Sequence, residues 1–308
     1  MGGLVPIPFS LSSLSFTHPE YLVRRISQKL IAQYGFGSST TIYALLDSPD
    51  RDLCQLGQFI YEKVFKGYSQ KQWGIEDPLE LDKAVLNRIP VRVSMDCNYF
   101  TDTFQFLPEN GYSNMISNML SSPGITLKTS KKVDFSVKSL LLEDGRVIVE
   151  DQPYDHVFYT GMLDEFCDYS LGSLPYRSLH FELSEADVNL NDRPSLVSNY
   201  PCNFNFTRIC DYSHIARSLG KSPRHSRIAT EYPGVYDQNS QDFKIPYYPL
   251  FTQEARANHA AYKAYLSSLT IPVTVCGRLG HYRYYDMDDA IIAALSLVSK
   301  MQILEHLV

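Results

Sequence analysis

The sequence predicts a mixed α+β fold. Three patterns carry that reading: apolar residues at helical spacing near the N-terminus, short strand-like runs punctuated by Gly and Pro through the middle, and an amphipathic helix at the end. With 308 residues, 44% of them hydrophobic, the chain can bury a large core in one to three domains.

From Ser15 to about Lys66 the pattern is helical. Leu22, Ile26, Leu30 and Ile31 recur at helix spacing, and Pro19 suits an early turn after Thr17. Leu53, Leu56, Phe59, Ile60 and Val64 make a second face of the same period, with Gly35 to Ser39 as a loop between them. Val91, Val93 and Met95 alternate as a strand does. Asn110-Gly111 reads as a turn, and the spacing from Tyr112 to Leu120 returns to helix. Ile125–Thr129 and Ser139–Leu142 read as strands, and Glu143-Asp144-Gly145 turning into Arg146–Glu150 is a hairpin signature. Tyr154–Tyr159 reads as one buried strand, and strand-like runs continue to about Leu250. Ala255–Leu269 is helical, Val273–Cys276 a short apolar strand, and Asp288–Leu304 a terminal amphipathic helix.

Charge and cysteine usage exclude several functions. A net charge of −6 offers no basic surface for nucleic acid, and no apolar run is long enough for a bilayer. Six scattered cysteines show no metal spacing, so no metal is expected; in a chain this large they read as reduced thiols in the cytoplasm. The first residues lack the basic and apolar regions of a signal peptide.

Chemistry concentrates where arginines meet aromatics. Tyr68 and Trp73 lie in GYSQKQWG; Arg88, Arg92 and Tyr99 in NRIPVRVSMDCNYF; Arg208 in FNFTRI; Arg278, Tyr282, Arg283, Tyr284 and Tyr285 in CGRLGHYRYYDMDD. A guanidinium fork matches paired phosphate oxygens, tyrosine adds a hydroxyl donor, and flat rings suit a base or sugar. Each arginine has an ordinary alternative, pairing with a surface carboxylate, and spacing alone does not choose between the two.

The strings GYSQKQWG, RIPVR followed by NYF, YRSLHFE, FTRI, TEYPG, YYP and GRLGHYRYYDM stand in the order seen in UDP-galactopyranose mutases, and the chain resembles that family from about Leu4 to its last helix. The resemblance implies a flavin-dependent isomerase that interconverts UDP-galactopyranose and UDP-galactofuranose on reduced FAD, by ring contraction through a flavin N5–sugar adduct. Arg88 resembles the mobile-loop arginine that swings onto the diphosphate, and Arg208 the fixed arginine on the same phosphates. Tyr99, Tyr248 and Tyr284 resemble hydroxyl donors there, Tyr68 the ring that stacks on uracil, and Trp73 the loop tryptophan near the sugar. Arg278 resembles the arginine that reaches the flavin, and Tyr285, Asp286 and Met287 the segment against it. Asn199 matches the family's asparagine before FTRI if one residue is deleted from the intervening loop; otherwise Ser198 does.

The resemblance implies three regions: a helical substrate-binding region with its mobile loop (13–90), an antiparallel sheet domain (1–12 with 91–106 and 167–246), and an incomplete FAD-binding α/β domain (107–166 with 247–308). It also implies a homo-oligomer. Three departures matter. Cys276 precedes Gly277 where the family has Gly-Gly, Val64 stands where a phenylalanine flanks the uracil, and no Gly-x-Gly-x-x-Gly occurs to cradle the FAD pyrophosphate. Gly35-Phe36-Gly37 is read as a loop. The expectation is therefore a mutase without its N-terminal FAD-anchoring segment, by truncation, a late start or a separately encoded polypeptide. The alternatives are a non-catalytic UDP-sugar-binding remnant and a mutase for a different UDP-sugar.

Overall fold

Ser10 opens the first helix, α1 (Leu11–Thr17), with a capping box shared with Ser13, and buries Leu11 and Leu14. The computed structural model describes residues 3–78, 90–130, 133–187 and 193–301. They divide into two units, residues 1–125 with 183–230 and residues 126–182 with 231–308.

In the first unit, α2 (Glu20–Tyr34) follows Pro19 and buries Ile26 and Leu30, while Ile31 turns outward. Gly35, at φ +85°, ends it by donating its N–H to the Ile31 carbonyl. A two-residue strand, β1 (Ser39–Thr40), pairs antiparallel with β2 (Val91–Arg92). Beyond it, α3 (Ile42–Leu46) packs on α4 (Arg51–Ile60). Their crossing is close because residue 57 is glycine: a Cβ there would lie 2.8 Å from the Leu46 nitrogen. Asp50 caps α4, and Lys29 of α2 reaches both Asp50 and Asp52 at 2.7 Å. A single π turn, Tyr61–Phe65, leads into α5 (Lys66–Trp73), which stops at Gly74 in the left-handed region. Later in the chain come α6 (Gly111–Met119), the hairpin of β8 (Val197–Asn199) and β9 (Arg208–Asp211), and α8 (Ser213–Ser218).

The second unit begins with a three-stranded meander, β3 (Leu141–Glu143), β4 (Arg146–Val149) and β5 (Gln152–Tyr154). Asp144 and Gly145 both have positive φ, as the predicted two-residue hairpin loop requires. Next, β6 (Val157–Tyr159) pairs in parallel with β12 (Val273–Val275). Between these two strands lie α7 (Leu163–Phe166), the Tyr176 end of β7 (Tyr176–Asp187), the Val235 end of β10 (His225–Val235), β11 (Tyr248–Pro249) and α9 (Gln253–Ser268); α10 (Gly277–Gly280) and α11 (Met287–Lys300) follow. The core gathers Met162, Leu163, Phe166, Tyr176, Tyr262 and Tyr282. Burial raises the pKa of the Tyr282 phenol, whose hydroxyl lies 2.7 and 2.9 Å from the Pro175 and Leu250 carbonyls.

Six expected strands differ: the one read at Ser139–Leu142 forms over Leu141–Glu143, and the one read to Glu150 ends at Val149. Residues 125–129 form none; Ile125 and Leu127 are exposed, so alternation there buries nothing. Tyr154–Tyr159 is not one strand, because a bend at Asp155-His156 sends its two ends to different sheets. The strand from Val91 stops at Arg92, and the one from Val273 stops at Val275. The end of the expected terminal helix, 302–304, lies outside the described residues.

Candidate functional site

In the first unit the site is built by α5 and the β8–β9 hairpin. The hairpin register sets Asn199 directly opposite Arg208, so both side chains share one face; Ser198 points to the other and is buried. Arg208 donates from Nη2 to the Tyr68 hydroxyl at 2.6 Å, and its guanidinium carbon lies 5.9 Å from the centre of the Tyr68 ring. Tyr68 is thus a ring and a polar tip held by a cation that sequence places 140 residues away. Trp73, five residues further on α5, is buried at 7% exposure. Tyr99 is 55% exposed, and its carbonyl accepts from Arg92 Nη2 at 3.0 Å. Arg92, buried and 3.6 Å from Asp96, is tied into the strand region. Arg88 lies outside the described residues.

Lys71, in the same string as Tyr68, drew no separate reading from the sequence. Its ammonium lies within 2.5–2.9 Å of the carbonyl oxygens of Tyr200, Cys202, Phe204 and Phe206 in the hairpin loop. Partial burial lowers its pKa. Its place in an unusual string was the available signal; the loop it grips is too distant in sequence to have been foreseen.

The second unit gathers the residues around Arg278. Its guanidinium donates to the carbonyls of Tyr247, at 3.2 Å, and Tyr285, and lies 5.5 and 5.6 Å from the Tyr248 and Tyr284 ring centres. Those two rings stack 5.3 Å apart at 10°. Tyr285 is buried, its hydroxyl 3.0 Å from His281 Nδ1. Asp286 precedes α11 and donates its backbone N–H to the Asp289 carboxylate at 3.1 Å, and Met287 is exposed. A cavity of about 560 Å³ in this unit is lined by His259, Lys263, Leu266, Val275, His281 and Tyr285. Burial, together with nearby positive charge, holds both histidines below the usual imidazole range. Among the described residues no group of three His, Cys, Asp or Glu could hold a metal.

The family model for UDP-galactopyranose mutase, GLF, matches residues 63–284. The chain belongs to the UDP-galactopyranose mutase family. It is similar to a dTDP-fucopyranose mutase of Escherichia coli, 30% identical over 294 residues that cover 96% of this chain and 73% of that protein. A probable UDP-galactopyranose mutase of Klebsiella pneumoniae is 36% identical over 78% of this chain and 57% of its own length. The UDP-galactopyranose mutase of Mycoplasma pneumoniae is 34% identical over 80% and 60% respectively. The chain therefore spans about three fifths of these two UDP-galactopyranose mutases. Its fold is similar to that in a crystal structure of reduced UDP-galactopyranose mutase, with a TM-score of 0.59 at 12% identity, covering 93% of this chain and 72% of the other.

Members of this family are flavoproteins, and the second unit fits part of a flavin dinucleotide. Ligands of parallel sheets gather at the carboxyl ends of the strands. Here β6 runs into Thr160 and β12 into Cys276-Gly277; Gly277 has φ +79°, and a Cβ on it would press Thr160 Cβ at 3.3 Å. Arg278 follows at once within α10, and α11 opens further on at Met287. Asp286, Asp288 and Asp289 crowd that helix N-terminus, which suits hydroxyls or a neutral ring better than a pyrophosphate.

Proposed function

We propose that this chain carries the substrate chemistry of a flavin-dependent mutase that interconverts UDP-galactopyranose and UDP-galactofuranose. The observation that carries the reading is the Arg208–Tyr68 pair: a guanidinium and a phenol from distant strings of the sequence, 2.6 Å apart, with Asn199 opposite Arg208. Tyr68 offers its ring to the uracil. Arg208 is the cation that the fold holds for the diphosphate, and Arg88 is the second cation assigned to it by the family resemblance. A permanent positive charge at the departing diphosphate lowers the barrier because negative charge grows there as the sugar leaves. Trp73 and Tyr99 complete the substrate residues of the first unit; Tyr248 and Tyr284 are the hydroxyl donors of the second.

Reduced flavin, when bound, supplies the nucleophile that exchanges with UDP at the anomeric carbon. Arg278, Tyr285, Asp286 and Met287 would hold it. Arg278 is fixed for that role by main-chain carbonyls and the two tyrosine rings, which spares ordering entropy on binding.

The likeness to a dTDP-fucopyranose mutase over 96% of the chain favours a second reading, a dTDP-sugar as substrate. Val64, one turn before Tyr68 where the family has phenylalanine, leaves more room beside the base, and thymine differs from uracil by one methyl. Competition between UDP and dTDP separates the two.

The test of function is turnover. The purified chain is supplied with FAD reduced by dithionite, and conversion of UDP-galactofuranose is followed by chromatography. Conversion that needs the reductant supports the proposal. A folded, flavin-loaded, reduced protein that converts neither UDP- nor dTDP-sugars leaves the non-catalytic binding reading.

A further inference from the structure

The β8–β9 loop is a small structure in its own right. Its base is closed by the Tyr200 N–H donating to the Thr207 carbonyl at 2.8 Å, and the Phe204 N–H donates to the Cys202 carbonyl at 2.9 Å. Tyr200 meets Phe206 edge-on at 4.8 Å, and Phe204 stacks on Phe206 at 5.0 Å. The carbonyls of residues 200, 202, 204 and 206 converge on one point, occupied by the Lys71 ammonium. An ammonium has three N–H groups, so four oxygens share them and the cation serves the whole loop.

A second contact comes from the same face of α5. Gly67 lies four residues before Lys71, hence one turn below it. A Cβ at Gly67 would overlap the Pro201 carbonyl oxygen, so the loop rests on bare helix backbone there. Between these two contacts in sequence stands Tyr68, which receives Arg208 from the base of the same hairpin. Three successive features of α5 thus meet one hairpin: a gap for its loop, a hydroxyl for its arginine, and an ammonium for its carbonyls.

We propose that Lys71, with Gly67, is the positioning device of the nucleotide-diphosphate site: it draws the β8–β9 loop onto α5 and so fixes where Arg208 and Asn199 stand relative to Tyr68. The inference rests on the reading of Arg208 as the diphosphate cation, and goes beyond it by assigning the element that sets its place. Lys71 itself is committed to the main-chain oxygens of the loop. Its removal therefore harms phosphate recognition and spares base recognition, which needs only the Tyr68 ring.

The experiment titrates the full 308-residue chain, Lys71→Met, Arg208→Ala and the double variant with UDP by calorimetry, and with uridine by ligand-observed NMR. Methionine keeps most of the stem length and removes the donors. The expected result for Lys71→Met is a loss of roughly tenfold or more in UDP affinity, with uridine binding changed by less than about twofold. The double variant should bind UDP no worse than Arg208→Ala alone, because coupled groups do not add. Lys71→Met binding UDP as the parent does, losing uridine and UDP alike, or adding its full loss to that of Arg208→Ala would each overturn the positioning role. Should Lys71→Met fail to fold, Gly67→Ala displaces the loop from the other contact; a UDP-selective loss supports the role, and parental UDP affinity overturns it. Parental UDP affinity in Arg208→Ala instead brings down the site assignment itself.

Discussion

Two arginines, one in each unit, are held in different ways. Arg208 meets a side-chain hydroxyl, that of Tyr68, at the mouth of a hairpin. Arg278 is bound by the main-chain carbonyls of Tyr247 and Tyr285 and lies against two stacked tyrosines. A phenol can turn aside and yield a guanidinium to a phosphate, whereas a carbonyl fixed by the fold cannot. The first arrangement suits a group that exchanges partners during turnover; the second suits a group whose place must not change. Lys71 follows the second pattern in the first unit, a cation spent on main-chain oxygens to set where another cation stands.

That contrast breaks most readily at Arg208. Arg208→Ala should weaken UDP binding by roughly tenfold to hundredfold, the usual cost of a charge-assisted bond to phosphate, with little change in Tm. Calorimetry and a thermal melt together read this. Arg278→Met should do the reverse. Removing donors from two carbonyls costs on the order of 1–3 kcal/mol of stability, seen as a lower Tm, while UDP affinity stays within about twofold. If both variants lost UDP affinity equally, the distinction between an arginine met by a side-chain hydroxyl and one held by main-chain carbonyls would fail.

The contrast sharpens where the second unit titrates. His259 and His281 have folded-state pKa values lowered by burial from the ordinary imidazole value of 6.5, with Lys263 acting on both and Arg283 on His281 in the same direction. The unfolded chain therefore takes up these protons first as pH falls. Their stability contribution is full above pH 6.5 and is lost on acidification towards their folded pKa values. A shallow fall of Tm between pH 7 and 5, flattened in a His259→Gln/His281→Gln variant, is the expected outcome. It is the smallest of these effects, and differential scanning fluorimetry across the pH series checks it.

The helices were the most legible part of the fold. The stripes Ile26–Leu30 and Leu53–Leu56–Ile60 bury as their spacing requires, and Asp144-Gly145 makes its turn through local backbone preference. What local pattern could not give was partnership. Residues 125–129 alternate as a strand does yet bury nothing, and the run from Tyr154 to Tyr159 feeds two sheets. The same limit holds at the site. Tyr68 and Arg208 stood out by composition and by resemblance, but the bond between them closes across 140 residues. Hairpin register places Asn199 opposite Arg208 and turns Ser198 to the other, buried face, an arrangement that local sequence does not give. Lys71 was in plain view within GYSQKQWG, and only the folded loop shows what it holds.

The central claim is that α5 and the β8–β9 hairpin form a nucleotide-diphosphate site. Hydrogen exchange of the 308-residue chain, followed by mass spectrometry with and without UDP, tests it most directly. The account predicts slowed exchange in peptides covering residues 66–73 and 197–211, abolished by Arg208→Ala at the same UDP concentration. Protection confined to peptides elsewhere, or protection of these two segments that survives Arg208→Ala unchanged, would contradict it.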